Sequence, residues 1–184
     1  MKKILLLLFF GAPFVGAAQQ ASWLLMPAES TITYYAKHPL HRWSGENSKL
    51  KGIAKLQEGE ALPSQLAIIA TVRDFDSQNE NRDAHALEVL DALDFPDVKF
   101  YCNQFEVTTS DSLVLQGDLE FHGVKVSKAI TAEFTKSSDG FQLQGRFGFN
   151  ASDFGLRLPS FMLARIDDAI QIAFDVRFSP QIVE

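Results

Sequence analysis

The sequence predicts an all-β domain of about eight antiparallel strands with one short helix, and three observations carry that expectation. Apolar and polar residues alternate through most of the chain after residue 18. Turn signals punctuate the alternation, and one stretch alone, 81–93, has helical spacing. Alternation with period two marks half-buried antiparallel strands, one face apolar and the other wet. Many even strands joined by short turns close into a barrel or stack as a sandwich, and closure removes the exposed edges of apolar strands.

The last run is the clearest. Ile170, Ile172, Phe174, Val176 and Phe178 alternate with Gln171, Ala173, Asp175 and Arg177. The same rhythm runs from Leu113 to Phe121 and from Phe141 to Phe149, with weaker versions near 30–37, 48–57, 65–75, 98–107 and 124–134. Gln57-Glu58-Gly59-Glu60, Ser137-Ser138-Asp139-Gly140 and the tight His122-Gly123-Val124 junction supply turns. In 81–93, Leu87, Leu90 and Leu93 recur at helical spacing. Asn81 or Asp83 offers an N-cap, and Phe95-Pro96 offers a stop, so a short helix lies over one end of the strands.

Residues 1–18 form a different kind of sequence. Lys2 and Lys3 precede the apolar run Ile4–Phe10, and Gly16-Ala17-Ala18 follows, the three-part pattern of a cleavable secretory signal. Removing it takes away two lysines and no acid, which moves the net charge from −6 to −8. The expected mature chain, 19–184, is a single exported domain without stable membrane insertion. Its acidity and its lack of a basic cluster exclude a nucleic-acid partner. Cys102, alone in an apolar setting, reads as a buried inert thiol.

No nucleophile elbow, phosphate loop or Cys-x-x-Cys motif is present, so the chain is expected not to be an enzyme and to need no cofactor. Phenylalanine stands out instead: of 16, three fall in 1–18. Many of the rest, including Phe100, Phe121, Phe134, Phe147, Phe149 and Phe174, occupy the inward phase of strands, with Ile172 and Val176 beside Phe174. An eight-stranded barrel is just wide enough to be filled by such side chains or to enclose one ligand. A packed aromatic core and a lined cavity both remain open. Arg82, with His85 three residues on, either meets a head group at a cavity mouth or ties the helix down. A second reading uses His38, His41 and His85 as ligands of a metal or haem in a redox partner.

Five motifs in order resemble the YceI-like family. They are Lys37-His38-Pro39-Leu40-His41; Asn81-Arg82-Asp83-Ala84-His85 with Leu90-Asp91 and Phe95-Pro96; Gly117–Val124; Ser152-Asp153-Phe154-Gly155; and the closing Ile166–Phe178 run. The resemblance spans Trp23 to Phe178. It implies a periplasmic protein with a lipocalin-like, eight-stranded antiparallel barrel. Such a protein would carry a long apolar ligand, a polyisoprenoid, isoprenoid quinone or fatty-acid derivative, as a monomer or a homodimer. Lys125–Ala129 departs from the Thr-Lys-Pro-like run that many relatives have after the His-Gly-Val turn, which leaves the ligand's identity open.

Overall fold

The computed structural model describes residues 20–57, 59–161 and 164–181; the expected signal segment lies outside the described residues, as does Glu58. Among the described residues, twelve strands and one α-helix follow in chain order. β1 is Gln20–Leu25, β2 Thr31–His38, β3 His41–Asn47, β4 Lys51–Gln57 and β5 Gln65–Thr71, followed by helix α1, Glu80–Val89. Then come β6 Asp97–Thr109, β7 Ser112–Phe121, β8 Val124–Lys136, β9 Phe141–Asn150, the short β10 Ser160–Phe161 and β11 Ala164–Arg165, and β12 Ala169–Pro180.

The main sheet runs β1-β4-β5-β6-β7-β8-β9-β12, and β1 also pairs with β12, so eight antiparallel strands close into a barrel. The long hairpins β6–β7 and β7–β8 supply the regular wall, the second through His122 (φ 49°) and Gly123 (φ 72°). Both residues at positive φ is the signature of a tight turn whose twist matches that of its strands. β2 continues the wall beside β12 where β1 leaves it: Leu25 pairs with Phe178, Thr31 with Asp175. A one-turn 3₁₀ segment beginning at Pro27 separates the two, because proline has no N–H to give the ladder.

Four strands go beyond the expected eight: β1, β3 and the two-residue β10 and β11, which pair only with each other. β1 was not foreseen. Nor was β3, where the polar run His41–Asn47 hides the alternation; the Pro39-Leu40 turn folds it back on β2 with His38 opposite His41. The helix also differs. Asn79, not Asn81 or Asp83, is its N-cap, accepting the Arg82 N–H at 3.0 Å. Asp83 instead accepts the Ser77 backbone N–H and hydroxyl. The helix ends before the third leucine: Asp91 turns to φ 45° and Leu93 is 93% exposed. His122 fixes this exit, with Nε2 3.1 Å from Asp91 and its ring 4.5 Å from that of Phe95.

The two ends of the barrel are filled differently. At the β1 end the interior is solid. Phe141 stacks on Phe178 at 5.0 Å, with Trp23 at 5.6 Å and Phe134 at 5.7 Å. Leu113, Leu143, Phe141 and Phe178 are each at most 2% exposed. Towards the α1 end, the β8–β9 ladder stops at Ala132↔Gly145 while β9 stays paired with β12 up to Asn150. A second cluster, centred on buried Phe154, lies at this end, where Phe154 contacts Phe121 and Phe149.

Candidate ligand cavity

Between the aromatic floor and α1 the barrel is hollow, with a cavity of about 710 Å³. That falls within the range of about 300–1,000 Å³ typical of small-molecule sites. Its wall follows from strand alternation, since each inward-phase residue above the floor faces the space. Phe100, Phe121, Phe147, Phe149, Ile172, Phe174 and Val176 all line it. Phe134 does not. It has the inward phase but lies so near the β1 end that its ring packs against Phe141. Ile68, Leu115 and Ile130 complete the strand wall, and Leu87 of α1 with the helix C-cap Leu90 closes part of the top.

Arg82 and His85 both belong to the cavity wall. Arg82 is held in place by Ser77: Nε donates to Oγ at 2.8 Å and Nη2 to the carbonyl oxygen at 2.6 Å. Its guanidinium also lies 5.9 Å from the Trp43 ring centre. Tyr34, which the sequence reading did not single out, lines the cavity beside this polar knot, its ring 5.7 Å from that of Phe75. Burial first, and the Asp83 carboxylate second, push its phenol above the ordinary tyrosine range, so it stays protonated and neutral. The Tyr34 ring lies across Gly45 on the paired strand, where a Cβ would come within 2.5 Å of it. The signal for Tyr34 was there, an aromatic opposite a glycine in a hairpin, but it is readable only once β3 is known.

His85 pairs with Glu88 at 3.5 Å. The other histidines proposed as metal ligands have structural surroundings. His38 is 2% exposed; its Nδ1 accepts the Leu40 N–H at 3.3 Å and its Nε2 faces the Ala164 carbonyl oxygen at 3.3 Å. The His41 ring lies 5.4 Å from it, next to Trp43. Among the described residues no three His, Cys, Asp or Glu side chains are grouped to hold a metal ion. Cys102 is fully buried, its thiol pushed up to about 11 by burial and its Sγ 3.2 Å from the Gln104 carbonyl oxygen.

Comparison with known proteins agrees with this architecture. The chain is 29% identical over 179 residues to a UPF0312 protein of Pseudomonas fluorescens (strain SBW25), covering 86% of this chain and 90% of that one. Its fold is similar to that of Burkholderia cenocepacia BcnA, with a TM-score of 0.74 at 15% identity over 83% of this chain and 98% of the other. It is also similar to a polyisoprenoid binding domain from Saccharophagus degradans, with a TM-score of 0.72 at 12% identity over 89% and 100% of the two chains. At such identities the structural likeness speaks for the fold alone. The model of the YceI-like domain matches residues 23–178, nearly the whole barrel, and the chain belongs to that family.

Proposed function

We propose that this protein is a periplasmic carrier that encloses a long apolar lipid, an isoprenoid, isoprenoid quinone or fatty-acid derivative, and performs no chemistry on it. The observation that carries this reading is the cavity of about 710 Å³ walled by Phe, Ile, Leu and Val above a solid aromatic floor. The driving force is desolvation. Each methylene that leaves water contributes about 0.8 kcal/mol, so a twenty-carbon tail gives a gross ~16 kcal/mol. Lost translational freedom and ordering offset about 4–15 kcal/mol of it, which leaves room for micromolar or tighter binding. The Saccharophagus domain, named for polyisoprenoid binding, supports the choice of lipid class. Residues 1–18 are read as the export signal. Among the described residues no helix is long and apolar enough to cross a membrane.

Lipid extraction and mass spectrometry of the full-length gene product, purified from its native host, test this reading. One long-chain lipid at near-stoichiometric amount is expected, on a chain whose intact mass begins at residue 18 or 19. Protein that is repeatedly empty, and that takes up no prenyl alcohol or fatty acid when offered, would refute the carrier role.

A further inference from the structure

The geometry points to a neutral, hydrogen-bond-accepting head group, such as a carbonyl, ester, amide or hydroxyl, and against a phosphate or diphosphate, for the lipid that this cavity takes. The assignment rests on the lipid-binding reading above and concerns only the polar end.

Charged residues enter the cavity wall only where α1 and the 72–77 segment meet the barrel. There Lys49, Arg73 and Arg82 face four carboxylates, Asp74, Asp76, Glu80 and Asp83. Lys49 is paired with Asp74 at 3.4 Å, and His85 brings Glu88 with it. After that pairing, two guanidinium groups stand against three carboxylates, so the rim carries no surplus of positive charge. A phosphate site looks different, with converging cations or a glycine-rich run of backbone N–H groups and no acid among them.

The donors that remain suit an uncharged acceptor. Arg82 spends Nε and Nη2 on Ser77 and forms no ion pair among the described residues, which leaves Nη1 with N–H groups to donate. Asp83 lies one residue away and is itself fixed by Ser77. An oxygen placed against Nη1 is welcomed if neutral, whereas a multiply charged one meets the half-buried Asp83 carboxylate beside it and, on the solvent side, the exposed Asp76 and Glu80, whose repulsion is strongest at low salt. Tyr34 lines the same part of the cavity and brings an uncharged hydroxyl there.

The test holds the tail constant and changes the head. Geranylgeraniol, geranylgeranyl diphosphate and the C20 hydrocarbon phytane compete with a fluorescent apolar probe for the delipidated mature chain. The alcohol is expected to bind about tenfold or more tighter than the diphosphate at low salt. Raising the salt narrows the gap, and so does Glu80→Gln, by improving the diphosphate. Arg82→Gln lowers affinity for the alcohol but not for phytane. A diphosphate that binds as tightly as the alcohol, or a gap that neither salt nor Glu80→Gln narrows, overturns the assignment while leaving lipid binding intact. If none of the three displaces the probe, the lipid-binding reading itself fails, and the head-group assignment with it.

Discussion

Whether the barrel is hollow in solution can be decided by comparing two phenylalanines four residues apart on β12. Phe178 is 0% exposed and stacked on Phe141 in the solid floor. Phe174 shares its phase but lines the cavity, its ring centre 6.3 Å from that of Phe147. Truncating a ring packed on all sides loses its transfer free energy and leaves a void, a loss of about 3–5 kcal/mol in total. That expectation applies to Phe178→Ala. Phe174 already borders about 710 Å³ of space, so its truncation creates little new void. A fully buried ring contributes about 1.5–3 kcal/mol by transfer, and a partly buried one proportionately less; Phe174→Ala is therefore expected to lose about 1–2 kcal/mol. Urea melts of delipidated protein measure both, with outward-facing Gln171→Ala as a near-neutral control. Adding a C20 prenyl alcohol at a hundredfold excess over its Kd stabilises the wild type by about 2.7 kcal/mol, and Phe174→Ala by less. If Phe174→Ala loses as much as Phe178→Ala and neither protein responds to lipid, the barrel is filled and the carrier reading is wrong.

Three other outcomes follow from the same structure. Ile172→Trp places extra volume in the cavity from the middle of β12; the fold should survive with an overpacking loss of at most about 1–3 kcal/mol, while lipid retention on mass spectrometry disappears. Asn79→Ala removes the cap of α1 and should cost about 1 kcal/mol, seen as faster amide exchange within Glu80–Val89 and little change in β6–β9. The Cys102 thiol, pushed by burial from its ordinary value near 9 up to about 11, ionises later in the folded chain than in the unfolded one. Stability from that difference is complete below pH 9 and is lost between about pH 9 and 11, some 3 kcal/mol at one pK unit per 1.36 kcal/mol. Relative to Cys102→Ala, wild-type melts should fall across that window, and a pH-independent difference between the two would refute the burial argument.

The long hairpins were legible because each of their strands has one face in the core and one in water, so β6 to β9 and β12 stand close to where alternation puts them. β2, β4 and β5 also stand close to the weaker alternation at 30–37, 48–57 and 65–75, whereas β1 and β3 were not legible. β1 is short and ends at a proline, and its value lies in closing the ring between β4 and β12, a long-range pairing that leaves no local mark. β3 reads as polar because its outer face is wet and because Gly45 stands where a large inward residue would advertise a strand; that glycine answers to Tyr34 across the hairpin. Leu93 failed for the opposite reason. Its spacing continues the helical stripe of Leu87 and Leu90, but capping at Asn79 starts the helix early and the Asp91 turn ends it, so the third leucine projects into solvent.

For the site, alternation reports phase and is silent about depth. Phe134, Phe174 and Phe178 have the same pattern around them, yet one packs on the floor, one lines the cavity and one forms the floor itself. Depth is set by where each strand enters the ring, and hence by register between distant segments. Leu25 opposite Phe178 puts that residue at the end that β1 closes, while Ile32 opposite Phe174 puts its ring beside the wall that β1 no longer covers. The floor is dense because β1 adds Trp23 to Phe134, Phe141 and Phe178. At the other end the indole of Trp43 lines the space beside Arg82 rather than filling it, and α1 with its C-cap Leu90 spans that end but buries no residue completely. A chain that meant only to be stable could have filled this end with further rings. Its own sequence instead puts alanine, arginine, aspartate and histidine at 82–86, residues that bound a space without occupying it. The hollow thus follows from two separable choices, aromatic residues massed below Phe174 and small or polar ones on the helix above it, and the Phe178/Phe174 pair measures the first of these independently of any ligand.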